Sequence, residues 1–149
     1  MKKLVAYFSC SGRTAERARE LAAAAGADLF EIESREPYSG ADLNWRDRNS
    51  RCSREMNDPS SRPELKKAEL DLSDYDDIYI GYPIWWGIAP REINTFIEAN
   101  NLKGKRIAIF ATSGGSGIDY ALKDLRASYP ELNIVTGVIA RGKLSQDIL

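Results

Sequence analysis

Histidine does not occur in this chain. Its absence removes the usual protein ligand for transition metals and the usual general acid or base near neutral pH. Cysteine occurs only as Cys10 and Cys52, far apart and with no second pair. That pattern fits neither a disulfide framework nor a zinc site, and it suits a reducing, cytoplasmic setting. An excess of one charge is missing too: 21 Lys and Arg stand against 22 Asp and Glu, a formal net charge of −1. A general nucleic-acid binder would be strongly basic, so no nucleic-acid partner is expected. No long apolar run is present, and no membrane partner is expected. The opening MKKLVAYFSCSG has two lysines and a short apolar stretch, but polar residues follow at once. It reads as a first buried strand rather than a signal peptide.

What is present fits one compact domain over residues 1–149, long enough to bury a full core without staples. Short apolar, β-rich runs alternate with helical patterns. Leu4 to Phe8 reads as a strand, and the alanine-rich stretch Arg13 to Ala25 reads as a helix that Gly26 can end. Strands follow at Leu29 to Ile32, Ile78 to Tyr82, Lys105 to Ala111 and Ile134 to Ile139. Pro90 can open a helix at its first position, with Ile93, Phe96 and Ile97 on one face. Ser116 can cap another that runs through Tyr120 to Leu125. The repeated strand and helix imply an α/β fold, a parallel sheet clothed by helices.

Residues 34 to 63 break the rhythm. The stretch is polar, is punctuated by Arg35, Arg46, Arg48, Arg51, Arg54 and Arg62, and offers a poor helix near Asp47 to Met56. A solvated surface segment is the first expectation for such a charge-rich run.

Three loops stand out because each follows a strand, at the edge where open parallel sheets bind ligands. Ser9-Cys10-Ser11-Gly12-Arg13-Thr14 combines small residues and hydroxyls with a helix N-terminus, which offers free N–H groups to a phosphate. A plain capped turn would look similar. Two other phosphate chemistries do not fit. A cysteine phosphatase loop needs arginine six residues after the cysteine, where Glu16 stands. The GxxxxGK signature of triphosphate loops is absent as well. Cys10 could have a lowered pKa at the helix N-terminus, or could pack and lend its backbone N–H. The second loop, Pro83-Ile84-Trp85-Trp86-Gly87, sets two indoles side by side. Neighbours on extended chain point opposite ways, so one ring can enter the core while the other faces a flat ligand. The third loop, Thr112-Ser113-Gly114-Gly115-Ser116-Gly117, allows close backbone approach and exposes N–H groups. It is not a dinucleotide fingerprint, which would need glycine at Tyr120. Together the loops outline a mononucleotide with a planar ring.

These motifs resemble those of the flavodoxins, in particular a bacterial branch whose third-strand loop reads YPIWWG. The resemblance covers nearly the whole chain, from YFSCSGRT through DLSDYDDIYIGYPIWWGIAP to FATSGGSGI. It implies a three-layer sandwich with a five-stranded parallel sheet in order 2-1-3-4-5 and flavin mononucleotide (FMN) at the β1/β3 switch point. By resemblance Ser9 to Thr14 form the phosphate loop, Pro83 to Gly87 lie beside the isoalloxazine with Trp86 the ring expected to cover it, and Thr112 to Gly117 surround its pyrimidine edge. The implied role is low-potential electron carriage between redox partner proteins, by a monomer or homodimer. An FMN-dependent NAD(P)H quinone or nitro reductase, and a flavin-free interaction module, remain the alternatives. Where the family carries a fifth long helix, the chain ends at Gln146-Asp147-Ile148-Leu149. A shortened C-terminal helix or a partner subunit is therefore expected to cover one sheet face.

Overall fold

A computed structural model describes residues 2–144 and 148. The elements run β1 (Lys2–Tyr7), α1 (Arg13–Ala25), β2 (Asp28–Glu31), α2 (Arg51–Asn57), β3 (Tyr75–Pro83), α3 (Arg91–Ala99), β4 (Arg106–Thr112), α4 (Asp119–Ser128) and β5 (Asn133–Ile139). The five strands form one parallel sheet in order β2-β1-β3-β4-β5. Winding reverses between β1 and β3, and the strand ends part there to leave a crevice.

The core follows from alternation along the strands. Leu4, Ala6, Phe8, Ile78, Ile80, Ile107 and Ile109 face one side, where Ile93, Phe96 and Ile97 of α3 and Leu125 of α4 cover them. Val5, Tyr7, Tyr79, Ala108 and Phe110 face the other, against Ala18, Leu21 and Ala22 of α1, with Leu144 and Ile148 packed alongside. Small alanines let α1 approach the sheet closely. Gly81 is required by packing: a Cβ there would lie 2.1 Å from the Phe110 ring. The expected short C-terminal helix falls on positions 145–149, which apart from Ile148 lie outside the described residues. Among the described residues, no helix is long and apolar enough to cross a membrane.

Helix α1 has the expected limits, and Gly26 ends it in the left-handed conformation at φ +63°. Two helix starts differ from expectation. Pro90 is the N-cap of α3, extended at ψ 151°, rather than its first helical residue. Helix α4 is capped at Ile118, not Ser116, because the glycine-rich loop continues past Ser116 before the chain turns helical.

Segment 34–63 is more than a solvated surface run. Its neck is closed by a bridge between Ser34 and Leu65, with Arg35 N donating to Glu64 O at 2.8 Å and Lys66 N to Glu33 O at 2.9 Å. Helix α2 is capped by Ser50 Oγ, which accepts from Ser53 N, and it buries Cys52, Ser53 and Met56. Arg91 of α3 holds its far end by donating to Glu55 O and to Met56 O, at 3.2 and 2.9 Å. Within the segment, Arg51 donates to Glu36 O at 2.7 Å and to Ser34 Oγ at 2.9 Å, an internal fastening that the polarity of the stretch conceals.

Candidate functional site

The loop after β1 gets its shape from Gly12, the α1 N-cap, at φ +90°. Only glycine takes that conformation without strain. Ser9 Oγ accepts from Gly12 N and Ala15 N, at 3.2 and 3.3 Å, which leaves its own proton free to donate. The Arg13 and Thr14 N–H groups, in the first turn of α1, have no protein acceptor among the described residues. Free first-turn donors beside small residues are what a phosphate requires. The Thr14 side chain plays a different part: its hydroxyl is buried against that of Thr112 at 2.8 Å, tying α1 to the end of β4. Arg13 is exposed and lines a separate recess with Glu16, Arg17 and Arg141.

The loop after β3 is a tight reverse turn. Trp85 and Ile88 exchange backbone hydrogen bonds at 2.9 and 3.0 Å, while the two residues between them, Trp86 and Gly87, have φ +51° and +82°. Positive φ at both central positions is the pattern of a type I′ turn, which asparagine and glycine usually fill. A tryptophan there is strained, and such outliers concentrate at functional sites. Trp85 points into the protein, edge-on to Phe8 and Tyr38 with ring centroids 5.7 and 5.5 Å away. Trp86 stands 44% exposed at the turn's tip. The turn backs onto the next loop: Ile84 N donates to Thr112 O at 2.9 Å, and a Cβ on Gly87 would lie 3.1 Å from the Tyr120 ring.

These loops enclose one cleft of about 710 Å³, a size usual for small-molecule and cofactor sites. Cys10 and Ser11 line it from the first loop, Pro83 to Trp86 from the second, and Ser113 to Ser116 from the third. Ser9, Gly12, Gly87, Thr112 and Gly117 lie beside these residues in the chain without lining the cleft itself. The structure adds Leu43, Trp45 and Cys52, all from the polar excursion. Their only local signal is one tryptophan stranded in a charged stretch; closure of the neck is what brings them to the sheet edge.

The electrostatics decide between the two readings of Cys10 in favour of packing. Although solvent reaches Cys10, its thiol is packed among protein atoms that push its pKa up to about 12, with the Glu92 carboxyl adding to the effect and Arg51 opposing it. The α1 N-terminus does not turn it into a ready thiolate. The Tyr38 phenol lies within hydrogen-bond reach of the Glu55 and Glu92 carboxyl groups, and the centre of its ring lies 3.8 Å from the Arg51 guanidinium.

The sequence model of the flavodoxins matches residues 2–149. The chain belongs to the flavodoxin family. Crystal structures of two proteins assigned as flavoproteins are close to it throughout. The one from Bacteroides uniformis ATCC 8492 is 46% identical with TM-score 0.94, covering 99% of this chain and 94% of that one. The one from Bacteroides eggerthii DSM 20697 is 49% identical with TM-score 0.95, covering 99% and 92%. A flavoprotein from Lactobacillus acidophilus NCFM, crystallised in complex with FMN, shares the fold at 23% identity and TM-score 0.76, over 93% and 92% of the two chains. No curated protein sequence matches significantly. The flavodoxin sheet order and the cleft at its β1/β3 crevice therefore coincide in this chain.

Proposed function

We propose that the cleft binds FMN noncovalently and that the protein carries electrons between redox partner proteins. The observation that carries this reading is convergence: loops from the ends of β1, β3 and β4 line one cleft with an exposed indole and a glycine-rich wall, and the free N–H groups of the first turn of α1 follow directly on its Cys10 and Ser11 side. The donor set fits a phosphorylated planar ring. When bound, FMN supplies one- and two-electron chemistry. The chain's part is to seat the phosphate on the first turn of α1, to offer the Trp86 ring to the flavin plane, and to shield it with Pro83, Ile84 and Leu43. The family fold, and the FMN held by the Lactobacillus acidophilus flavoprotein, support the choice of cofactor.

Carriage is favoured over NAD(P)H-dependent reduction by what lines the cleft. No carboxylate, lysine, arginine or tyrosine is among the lining residues, and the thiol of Cys10 is held protonated. Such a wall suits passage of electrons better than acid–base work on a substrate.

The test begins with FMN added to the purified protein at micromolar concentrations. Quenching of flavin fluorescence with one-to-one saturation is expected; no binding would favour the flavin-free interaction module. The loaded protein is then reduced with dithionite and offered ferricyanide, a one-electron acceptor, and separately offered NADH or NADPH with a quinone. Rapid reoxidation by ferricyanide with little NAD(P)H consumption is expected. Fast quinone turnover driven by NAD(P)H would replace the carrier reading with the reductase one.

A further inference from the structure

Next to the flavin cleft lies a second recess of about 500 Å³, lined by Trp45, Arg46, Arg48, Ser53, Asn57 and Trp86. Trp45 and Trp86 also line the cleft, so the two spaces meet at this pair of indoles. We propose that the recess is a separate binding site for a small planar aromatic anion.

Three independent features lead there. Two indoles from distant parts of the chain stand 65% and 44% exposed on the walls of one hollow. Exposed aromatics gathered in this way mark a binding surface, because each would otherwise leave water-covered apolar area. One of them is held in a strained backbone conformation, at φ +51°. The charged residues that line the recess are both arginines. Arg46 and Arg48 form no ion pair among the described residues, whereas Arg51 is bound to Glu55 at 3.1 Å and Arg54 donates to Asn49 O at 3.1 Å. Arg46 lies 5.1 Å from the centre of the Trp45 ring. A guanidinium beside an indole face offers a flat ligand a stacking surface and a planar fork of donors for a carboxylate, sulfonate or phosphate. Asp47 stands between the two arginines in sequence, and its Oδ1 is occupied by Asn49 N at 2.9 Å.

The segment is fixed in advance of binding. Asp47 N donates to Asn44 O at 3.1 Å, Ser53 Oγ to Asp47 O at 2.7 Å, and Cys52 N to Asp42 O at 3.0 Å. A prepared wall lowers the ordering cost of capturing a ligand. The formal net charge of −1 and a basic lining limited to two arginines suit one small anion better than a nucleic-acid strand, which calls for a continuous basic track.

The test uses naphthalene-2-sulfonate and its uncharged analogue naphthalene-2-sulfonamide, titrated calorimetrically into the apoprotein and into the protein saturated with FMN. One site is expected, about tenfold tighter for the sulfonate, weakening with added salt and persisting when FMN is bound. The double variant Arg46→Gln, Arg48→Gln should lose the preference for the anion while keeping its FMN affinity, and Trp45→Ala should weaken both probes. Equal affinity for the two probes, displacement by FMN, or an unchanged preference in the arginine variant would overturn the proposal. FMN binding without probe binding refutes this site alone; probe binding without FMN binding refutes the cofactor reading alone.

Discussion

The phenol of Tyr38 is hydrogen-bonded to the carboxyl group of Glu92, joining the polar excursion to the first turn of α3. The same phenol contacts Glu55, which Arg51 holds at 3.1 Å. A phenol has one proton, so both contacts are hydrogen bonds only when a carboxyl group brings a second. Glu92 is the group placed to bring it. It is fully buried, and its Oε1 has no partner among the described residues. Burial pushes its pKa up to about 7, with Glu55 adding to the rise while the Tyr38 bond and Arg51 oppose it.

Stability should therefore fall as pH rises from the ordinary glutamate value of 4.5 to about 7. In that window the folded protein keeps a proton that the unfolded chain has released, so raising pH favours unfolding. Roughly 3 kcal/mol is at stake, at about 1.4 kcal/mol per pH unit. Asp42, Asp58, Asp71 and Glu98 have lowered pKa values, and their contribution is lost only as pH falls below the ordinary carboxylate range. Urea midpoints measured across this range should slope downward in the wild type and flatten in Glu92→Gln. A slope that survives the substitution would assign the proton elsewhere.

The adjacent tryptophans should separate cleanly. Trp85 packs on Phe8 and Tyr38, so Trp85→Ala should cost about 3 kcal/mol of apoprotein stability. Trp86→Gly removes a strained φ of +51°, a relief of roughly 1 kcal/mol that the greater freedom of glycine when unfolded largely offsets. Its stability should stay near wild type while FMN affinity drops about tenfold through lost stacking. Denaturant curves beside FMN titrations check this, and equal stability losses with unchanged affinity would make both rings structural.

Thr14 and Thr112 satisfy each other away from water at 2.8 Å. Thr112→Val keeps the shape but leaves Thr14 Oγ1 unpaired, at a cost of about 1–3 kcal/mol. Adding Thr14→Val removes the orphan, so the double variant should be less destabilised than the two single losses combined. A double-mutant cycle by urea unfolding reads the coupling; strict additivity would show that the hydroxyls act independently.

Gly81→Ala should be costly for a steric reason, since its Cβ would sit 2.1 Å from the Phe110 ring. Overpacking of this kind costs typically about 1–3 kcal/mol. Phe110→Leu in the same chain should recover part of the loss by making room. Thermal unfolding of the three variants tests the pairing, and no recovery would point to backbone strain instead.

The strands and helices were legible locally, while the order of the strands came from the resemblance to the flavodoxins. Apolar runs such as Leu4 to Phe8, the alanine face of α1 and the stop at Gly26 record strand and helix through neighbours along the chain, and loops that follow such strands fall at the ligand edge. The helix starts at Pro90 and near Ser116 were less legible, because a single residue serves equally as cap, first turn or loop.

Periodicity and small residues act over a few positions, so the residues alone establish the alternating α/β plan and the three loops that follow its strands. Which indole enters the core is settled in the folded chain, by a turn at Trp86 and Gly87 that demands two positive φ values. Folding likewise brings Leu43, Trp45 and Cys52 to the cleft and sets Glu92 against Tyr38. Those placements depend on closing a polar segment between Ser34 and Leu65 and on contacts such as Tyr38 with Glu92, 54 positions apart. Long-range closure leaves no periodic trace in the residues it joins, since its free energy arises from burial and pairing that exist only once the chain has come together.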